Sequence, residues 1–254
     1  MPKTHQDLGL WNLRNVGGYR VSSSRYMRKD VIYRSANLDS IGSPGAHLLQ
    51  TTLGIKMIFD LRSRVEQEKK KTLLKIPVVP LPAVANPDHR IIQAYFGNIS
   101  ESPAESVAHL YVHILKNSVA CFQTILKYIR DNPSQPVLVH CELGKDRKGV
   151  FISLLLFVLG VCDTDIIYDY VLSQDEIKDI IHERRAKLLQ TSFMSGVSVS
   201  PIALDNHFMA LPGSMRLFLS YLRETYQDGR GCLSSLGFSD VDYDTIYNNL
   251  TQEL

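Results

Sequence analysis

The chain has 254 residues, of which 44% are hydrophobic and 21% are charged, with a formal net charge of +2. This length can bury a sizeable core within one large domain. The nearly balanced charge excludes the strongly basic surface by which proteins hold a nucleic-acid backbone, so we expect no nucleic-acid partner. Four widely spaced cysteines without a Cys-x-x-Cys pair argue against a zinc site or a disulfide framework.

Two features of the sequence bear on its cellular location. The N-terminal residues lack the apolar run of a signal peptide, and the most apolar stretch, residues 149–162, is too short to span a bilayer. A reactive thiol also requires a reducing compartment. The sequence therefore predicts a cytoplasmic protein without a transmembrane segment.

Strands and helices alternate along the first two thirds of the chain. An irregular N-terminal segment, residues 1–30, precedes the first strand. Strands are predicted at 31–34, 55–59, 75–81 and 137–140, and the third is placed at a sheet edge because Pro77 interrupts it. Helices are predicted from Pro44 to 53 and at 65–71, 104–116, 119–130, 150–159, 163–172, 175–189, 214–226 and 241–250. Between them, residues 82–103 are predicted as a long loop that is either a lid or disordered, in which Tyr95 and Phe96 either cover a pocket or have a packing role. Residues 65–71 are predicted as a solvated polar face.

This alternation predicts an α/β fold with a mainly parallel central sheet of four to five strands flanked by helices. We expect one domain, residues 1–254, with a C-terminal helical extension over residues 191–254. Functional groups in such folds gather at the carboxyl ends of the strands. Arg34, Asp60 and Arg62 occupy such positions, and we interpret them as ion pairs that brace strand ends.

The most informative stretch is Val137-Leu-Val-His-Cys-Glu-Leu-Gly-Lys-Asp-Arg-Lys-Gly-Val150. A short apolar strand, a loop containing a glycine and the N-terminus of a helix direct backbone N–H groups at one point, which favours anion binding. A cysteine in that position is favoured as a thiolate by the helix dipole and by cationic neighbours. Cys141 is therefore a candidate nucleophile, and Arg147 is a candidate fork for two phosphoryl oxygens.

The His-Cys-x5-Arg arrangement, worded His-Cys-x-x-Gly-Lys-Asp-Arg, resembles the cysteine-dependent phosphatases. It is similar to the branch that contains bacterial and lower-eukaryotic protein-tyrosine and phosphoinositide phosphatases. Three further segments resemble elements of that branch in the same order: Trp11-Asn-Leu-Arg-Asn-Val-Gly-Gly-Tyr19, Ile32-Tyr-Arg-Ser-Ala-Asn-Leu38 and Asp60-Leu-Arg62.

The resemblance implies a protein-tyrosine phosphatase with a phosphocysteine intermediate, with dual-specificity or phosphoinositide activity as extensions. Its substrate is a phosphorylated protein or a phosphoinositide. Cys141 is then the nucleophile, Arg147 the phosphate clamp and Asp146 the acid/base. Asp88 is the second candidate acid because residues 79–83 carry no carboxylate. The substrate-binding residues would be Glu142, Leu143, Gly144, Lys145, Asp146, Arg147 and Lys148. No metal or cofactor is implied, because the arginine and the backbone amides supply the positive charge.

Three loop positions leave alternatives open. Lys145 either contacts a second phosphate on the ring of a phosphoinositide or faces solvent. Glu142 argues against a phosphoinositide, because an acidic residue beside the nucleophile disfavours a ring with several phosphates. Lys148 stands where the family has threonine or serine, whose hydroxyl eases departure of the thiolate. One alternative is that loss of that hydroxyl slows hydrolysis of the phosphocysteine. A second is that the lysine charge stabilises the departing thiolate instead, and a third is that the side chain points into solvent and does neither.

Other classes of protein are compatible with parts of this pattern. A pseudophosphatase would capture phosphopeptides without hydrolysing them, and sulfur-transfer or arsenate-reducing enzymes share a cysteine–arginine loop. A nucleotide-binding P-loop is excluded, because Val139 and Asp146 occupy positions where that motif needs glycine and Ser or Thr.

Overall fold

The computed structural model describes residues 5–68, 73–84, 89–190, 194 and 196–253. Its strands are β1 (Arg14–Asn15), β2 (Arg25–Met27), β3 (Ile32–Ser35), β4 (Met57–Asp60), β5 (Val78–Pro80), β6 (Val137–His140) and β7 (Thr251–Glu253). Five of them form a sheet in the order β1-β3-β6-β4-β5, in which β1 alone runs antiparallel to its neighbour. The described helices are α1 (Ser43–His47), α2 (Arg64–Gln67), α3 (His89–Asn98), α4 (Pro103–Asn117), α5 (Val119–Asp131), α6 (Arg147–Val158), α7 (Asp163–Ile177), α8 (Ile181–Leu189), α9 (Pro201–Phe208), α10 (Pro212–Tyr226), α11 (Gly229–Ser235) and α12 (Asp240–Leu250). The predicted α/β fold class is confirmed.

Strand β6 lies at the centre of the sheet and is buried on both faces. Val137 and Val139 enter the larger hydrophobic cluster, which α4, α5, α6 and α10 also line, whereas Leu138 enters the cluster on the opposite face. Alternate residues of a strand point to opposite faces, so a strand covered on both sides is apolar throughout. The uninterrupted Val-Leu-Val run is the sequence signature of that position.

The register of the parallel strands brings three carboxyl ends to the same edge. His140, the last residue of β6, is paired with Ser35 on β3 and with Asp60 on β4. Residues 141–147, which we call the cysteine–arginine loop, leave the sheet there and lead into α6. The sheet therefore places the segments after β3 and β4 on either side of this loop.

Two predictions about the segments outside the sheet are wrong. The stretch 82–103 is not irregular throughout, because His89–Asn98 forms α3, whose apolar Ile92 and Phe96 are buried. Residues 1–30 are not irregular throughout, because they contain β2, which pairs antiparallel with β7 at the C-terminal end of the described chain. Tertiary pairing between distant segments carries no local pattern, so the sequence does not show it.

The helices after residue 200 pack onto the body of the fold. Phe218, Leu219 and Leu222 of α10 are buried in the larger cluster. Asp228 caps α11, because its side chain accepts a hydrogen bond from the Gly231 N–H. This C-terminal helical region thus shares the hydrophobic core with the sheet. Within the described chain, no helix has the length and apolar character that crossing a bilayer requires.

Candidate active site

The cysteine–arginine loop makes a tight turn between β6 and α6. Cys141 is only 2% exposed. Gly144 adopts a φ of +68°, and a Cβ built there would lie 2.4 Å from the carbonyl oxygen of Ser35. Both the left-handed backbone and the close approach require glycine, so Gly144 shapes the loop by lacking a side chain.

Three successive carbonyl groups of the loop are held from outside by asparagines. The backbone N–H and the side-chain Nδ2 of Asn37 donate to the carbonyl of Glu142 at 3.0 and 3.1 Å. The Nδ2 of Asn12 donates to the carbonyls of Leu143 at 3.1 Å and Gly144 at 2.8 Å. These bonds fix the orientation of three consecutive peptide groups.

The same bonds set the direction of the loop's N–H groups. In a planar trans peptide, the carbonyl and the N–H of the next residue point in opposite directions. The N–H groups of residues 143–145 therefore face away from the asparagines. Among the hydrogen bonds of the described residues, none has a backbone N–H of residues 142–146 as its donor. Successive free N–H groups next to a helix N-terminus form an anion site.

A buried charge cluster supports the loop from behind. Asp169 on α7 accepts hydrogen bonds from Arg14 Nε at 3.1 Å and from Arg34 Nη1. Arg14 also donates to the side-chain oxygen of Asn12, and Arg34 Nη2 donates to the carbonyl of Gly144 at 3.2 Å. Asp169 therefore anchors both arginines. This role was not predicted, because nothing in the local sequence distinguishes Asp169 from a surface carboxylate.

The Arg147 guanidinium is held by a carboxylate from another element. Its Nη1 and Nη2 donate to Glu66 Oε2 at 2.6 Å and to Oε1 at 3.0 Å. This interaction holds the pKa of Glu66 at about 2, since the arginine outweighs the opposing effect of burial. Glu66 was predicted to lie on a solvated face, and that prediction is wrong. The Ser63-x-x-Glu66 capping box, which starts α2, was the available signal.

We expect Glu66→Gln to lower kcat/KM on an aryl phosphate by about 10- to 100-fold, because a misplaced phosphate clamp costs catalysis on this scale. The amide offers one acceptor oxygen where the carboxylate offers two, so the fork loses its fixed plane. Steady-state kinetics and circular dichroism measure the loss against an intact fold. Glu68→Gln, an exposed carboxylate just after α2, is the matched control. A Glu66→Gln enzyme with native kinetics would contradict the positioning role.

Asp146 is the N-cap residue of α6 and receives two hydrogen bonds. Tyr111 on α4 donates its hydroxyl to Oδ1 at 2.8 Å, and Lys145 donates from Nζ to the same oxygen at 2.7 Å. Burial would raise the pKa of Asp146, but the charge of Lys145 and these bonds lower it. The carboxyl is therefore ionised in the free site.

Two aromatic side chains, one on α3 and one on α9, lie near Asp146. Tyr95 on α3 and His207 on α9 are joined by a 3.0 Å hydrogen bond between the hydroxyl and Nδ1. Both interact electrostatically with Asp146. Burial, together with the positive charge of nearby Lys145, lowers the pKa of His207 to about 4. Tyr95 therefore combines the two predicted alternatives. It lies near Asp146, and its ring also packs against Phe96.

The remaining predicted loop residues take different places. Glu142 Oε1 accepts from Arg184 Nη1 and Lys187 Nζ on α8, each at 2.7 Å. The Leu143 side chain packs among Ile177, Ile180 and Phe208. These two side chains tie the loop to neighbouring helices.

Lys145 in the loop and Lys148 at the start of α6 are both buried. Lys145 is 1% exposed and bonded to Asp146, and Lys148 is 0% exposed. The alternatives in which either side chain faces solvent are therefore wrong. The Nζ of Lys148 has no hydrogen-bond partner within the part of the chain that the structure describes.

The strand-end residues form the ion pairs that the sequence analysis predicted. Arg62 Nη2 lies 2.9 Å from Asp60 Oδ2, and Arg62 Nη1 lies 2.8 Å from Asp39 Oδ2. The Nε2 of His140 lies 3.7 Å from the same Asp60 carboxylate. These contacts, like that of Arg34, support the structure around the loop. Asp88, the second candidate acid, lies outside the described residues.

Comparisons with known proteins agree with this arrangement. The model of a family described as the tyrosine phosphatase family matches residues 7–252. A tyrosine-protein phosphatase of Nostoc commune is 27% identical over 229 residues, covering 88% of this chain and 75% of the relative. The triple specificity protein phosphatase PtpB of Mycobacterium tuberculosis is 22% identical over 254 residues, covering 89% of each.

A solved structure is also similar. The core catalytic domain of the PP-IP phosphatase SIW14 from S. cerevisiae aligns with a TM-score of 0.38 and 18% identity, covering 68% of this chain and 92% of that chain. A score of this size carries no argument of its own. The family match extends over nearly the whole sequence, including the loop and the segments that brace it, and the chain belongs to the tyrosine phosphatase family.

Proposed function

We propose that this phosphatase hydrolyses phosphotyrosine in proteins through a phosphocysteine at Cys141. The observation that supports it best is the set of three peptide groups whose carbonyls bond to Asn37 and Asn12, so that the N–H groups of residues 143–145 face away from the asparagines and stay free for an anion. A phosphoryl group held by these N–H groups and by Arg147 would present its phosphorus to the sulfur. The leaving oxygen would depart on the opposite side.

The charges around Cys141 support its role as a thiolate nucleophile. Arg34, Lys145 and Arg147 each interact electrostatically with this cysteine. A thiolate is the reactive form, and cationic neighbours stabilise it. Cys141 would attack phosphorus, and the electron pair of the breaking P–O bond would pass to the leaving oxygen.

Asp146 is our candidate for the acid that protonates this oxygen and for the base that later activates water. It is ionised in the free site, so it must gain a proton when the phosphate dianion arrives and raises its proton affinity. Its hydrogen bond from Tyr111 fixes its position at the start of α6.

The contacts of Lys145 favour phosphotyrosine over a phosphoinositide. Its ammonium is buried and bonded to Asp146 at 2.7 Å, so it is not presented to a second ring phosphate. Tyr95 interacts with Asp146, and its ring would face an aryl group that leaves on that side. The name of the mycobacterial relative, a triple specificity phosphatase, is consistent with further phosphoester substrates.

A substrate panel tests this proposal. We expect phosphotyrosine peptides to be hydrolysed with a kcat/KM at least about tenfold above that of soluble phosphoinositides, because Lys145 is already paired with Asp146 and is not available to a second ring phosphate. The assays contain a chelator, since Arg147 and the backbone amides supply the charge. A preference for phosphoinositides, or loss of all activity with chelator, would contradict the assignment.

We also place the enzyme in the cytoplasm. All four cysteines, at positions 121, 141, 162 and 232, are free thiols. A nucleophilic thiolate is preserved in a reducing compartment, whereas an oxidising one inactivates it.

A further inference from the structure

Lys148 lies in the first turn of α6, directly after Arg147, and its side chain is fully buried. Within the described residues its Nζ has no hydrogen-bond partner. A buried ammonium without an acceptor has lost its hydration without replacement, which strongly disfavours the charged form. The geometry of this side chain therefore suits a neutral amine.

The charged groups that act on Lys148 lie on β1, β3, α7 and the cysteine–arginine loop. Arg14 on β1 and Arg34 on β3 repel an ammonium, whereas Asp169 on α7 and the thiolate of Cys141 attract it. Asp169 is already bound to both arginines, so it does not compensate a third cation fully. Burial, followed by the two arginines, lowers the pKa of Lys148 well below its usual value.

The other charged side chains of the site are nearly balanced by partners of opposite charge. Lys145 is paired with Asp146, and Arg147 is paired with Glu66. The two arginines that share Asp169 leave one positive charge unbalanced. The thiolate that the proposed function requires at Cys141 would balance it, and the free site is then close to neutral when Lys148 is uncharged. A bound phosphate dianion then introduces two negative charges that the free site does not balance.

We propose that Lys148 is a neutral amine behind the cysteine–arginine loop of the free enzyme and takes up a proton from solvent when a phosphate dianion binds. Its ammonium then stabilises the bound dianion and, after phosphate transfer, the thiolate that departs from phosphocysteine. No bond of the substrate breaks in this step, and the lysine replaces the family's hydroxyl with a titratable group. The inference rests on the proposed phosphate site and adds a proton-linked residue to it.

Isothermal titration calorimetry with inorganic tungstate tests this inference. Tungstate is a tetrahedral dianion that does not titrate near neutral pH, so it contributes no protons of its own. Titrations in buffers of different ionisation enthalpy give the number of protons taken up for each anion bound. We expect uptake by the native protein, and an affinity that falls as the pH rises, because proton uptake becomes harder.

Four variants assign the proton. Lys148→Met removes the amine at nearly constant length, and Lys148→Thr restores the family's hydroxyl and remains available if the methionine variant folds poorly. Both should lose the Lys148 share of the uptake, keep the share of Asp146, and bind tungstate about tenfold more weakly near neutral pH. Asp146→Asn removes the other group that gains a proton. This variant should retain the part of the proton uptake that belongs to Lys148. Lys127→Met, an exposed lysine on α5, should behave like the native protein.

The possible results separate this inference from the proposed function. Binding without proton uptake in the native protein overturns the role of Lys148 and leaves the phosphate site intact. Unchanged uptake in a folded Lys148→Met or Lys148→Thr variant also overturns it. Absence of tungstate binding by the native protein overturns the phosphate site, and with it this inference.

Discussion

We expect Cys141→Ser to abolish turnover of an aryl phosphate while binding of a phosphotyrosine peptide persists. The serine hydroxyl is far less ionised than a thiol and is not activated by the cations around this position. The N–H groups of residues 143–145 and the Arg147 fork do not depend on the sulfur, so the phosphate is still held. Steady-state kinetics and calorimetry with the peptide measure the two properties separately.

Cys162→Ser is the matched control for this substitution, because Cys162 is a free and exposed cysteine outside the loop. It should keep native turnover. In the Cys162→Ser background, an alkylating agent should inactivate the enzyme, and inorganic vanadate should protect it by occupying the loop. More than trace turnover by Cys141→Ser would exclude this cysteine as the nucleophile.

We expect the effect of Asp146→Asn to depend on the leaving group. Nitrophenolate departs without a proton, so its release changes little, whereas an alkyl alcohol needs the acid and should be released ~10²–10⁴-fold more slowly. Because only the protonated carboxyl is an acid, activity on the alkyl ester should fall as the pH rises through the pKa of Asp146 in the complex. The asparagine variant should lose this dependence.

Single-turnover kinetics with a matched pair of aryl and alkyl phosphates measure this difference. Asp163→Asn, which removes an exposed carboxylate on α7, is the control for a general change in charge. An equal loss on both substrates would show that Asp146 shapes the loop through Tyr111 and Lys145. Asp88→Asn would then be the next variant to measure.

The sequence by itself determined the central strand, the loop and the helix that follows it. Val137–His140 is β6, because an uninterrupted apolar run followed by a glycine-containing turn suits a strand covered on both faces. The spacing from Cys141 to Arg147 likewise indicated the chemistry, because those residue types are needed together at one anion site. The ion pair of Asp60 with Arg62 followed from its place at a strand end.

Contacts between distant segments were decided only by the tertiary structure. Glu66 meets Arg147 across 81 residues, and Asp169 meets Arg34 across 135 residues. No local periodicity marks such partners, because a carboxylate on a helix has the same pattern whether it faces solvent or a buried guanidinium. Burial of Lys148 is of the same kind. The sequence showed that this lysine departs from the family pattern, but only the packing of β1, β3 and α7 around the helix start removes its amine from water.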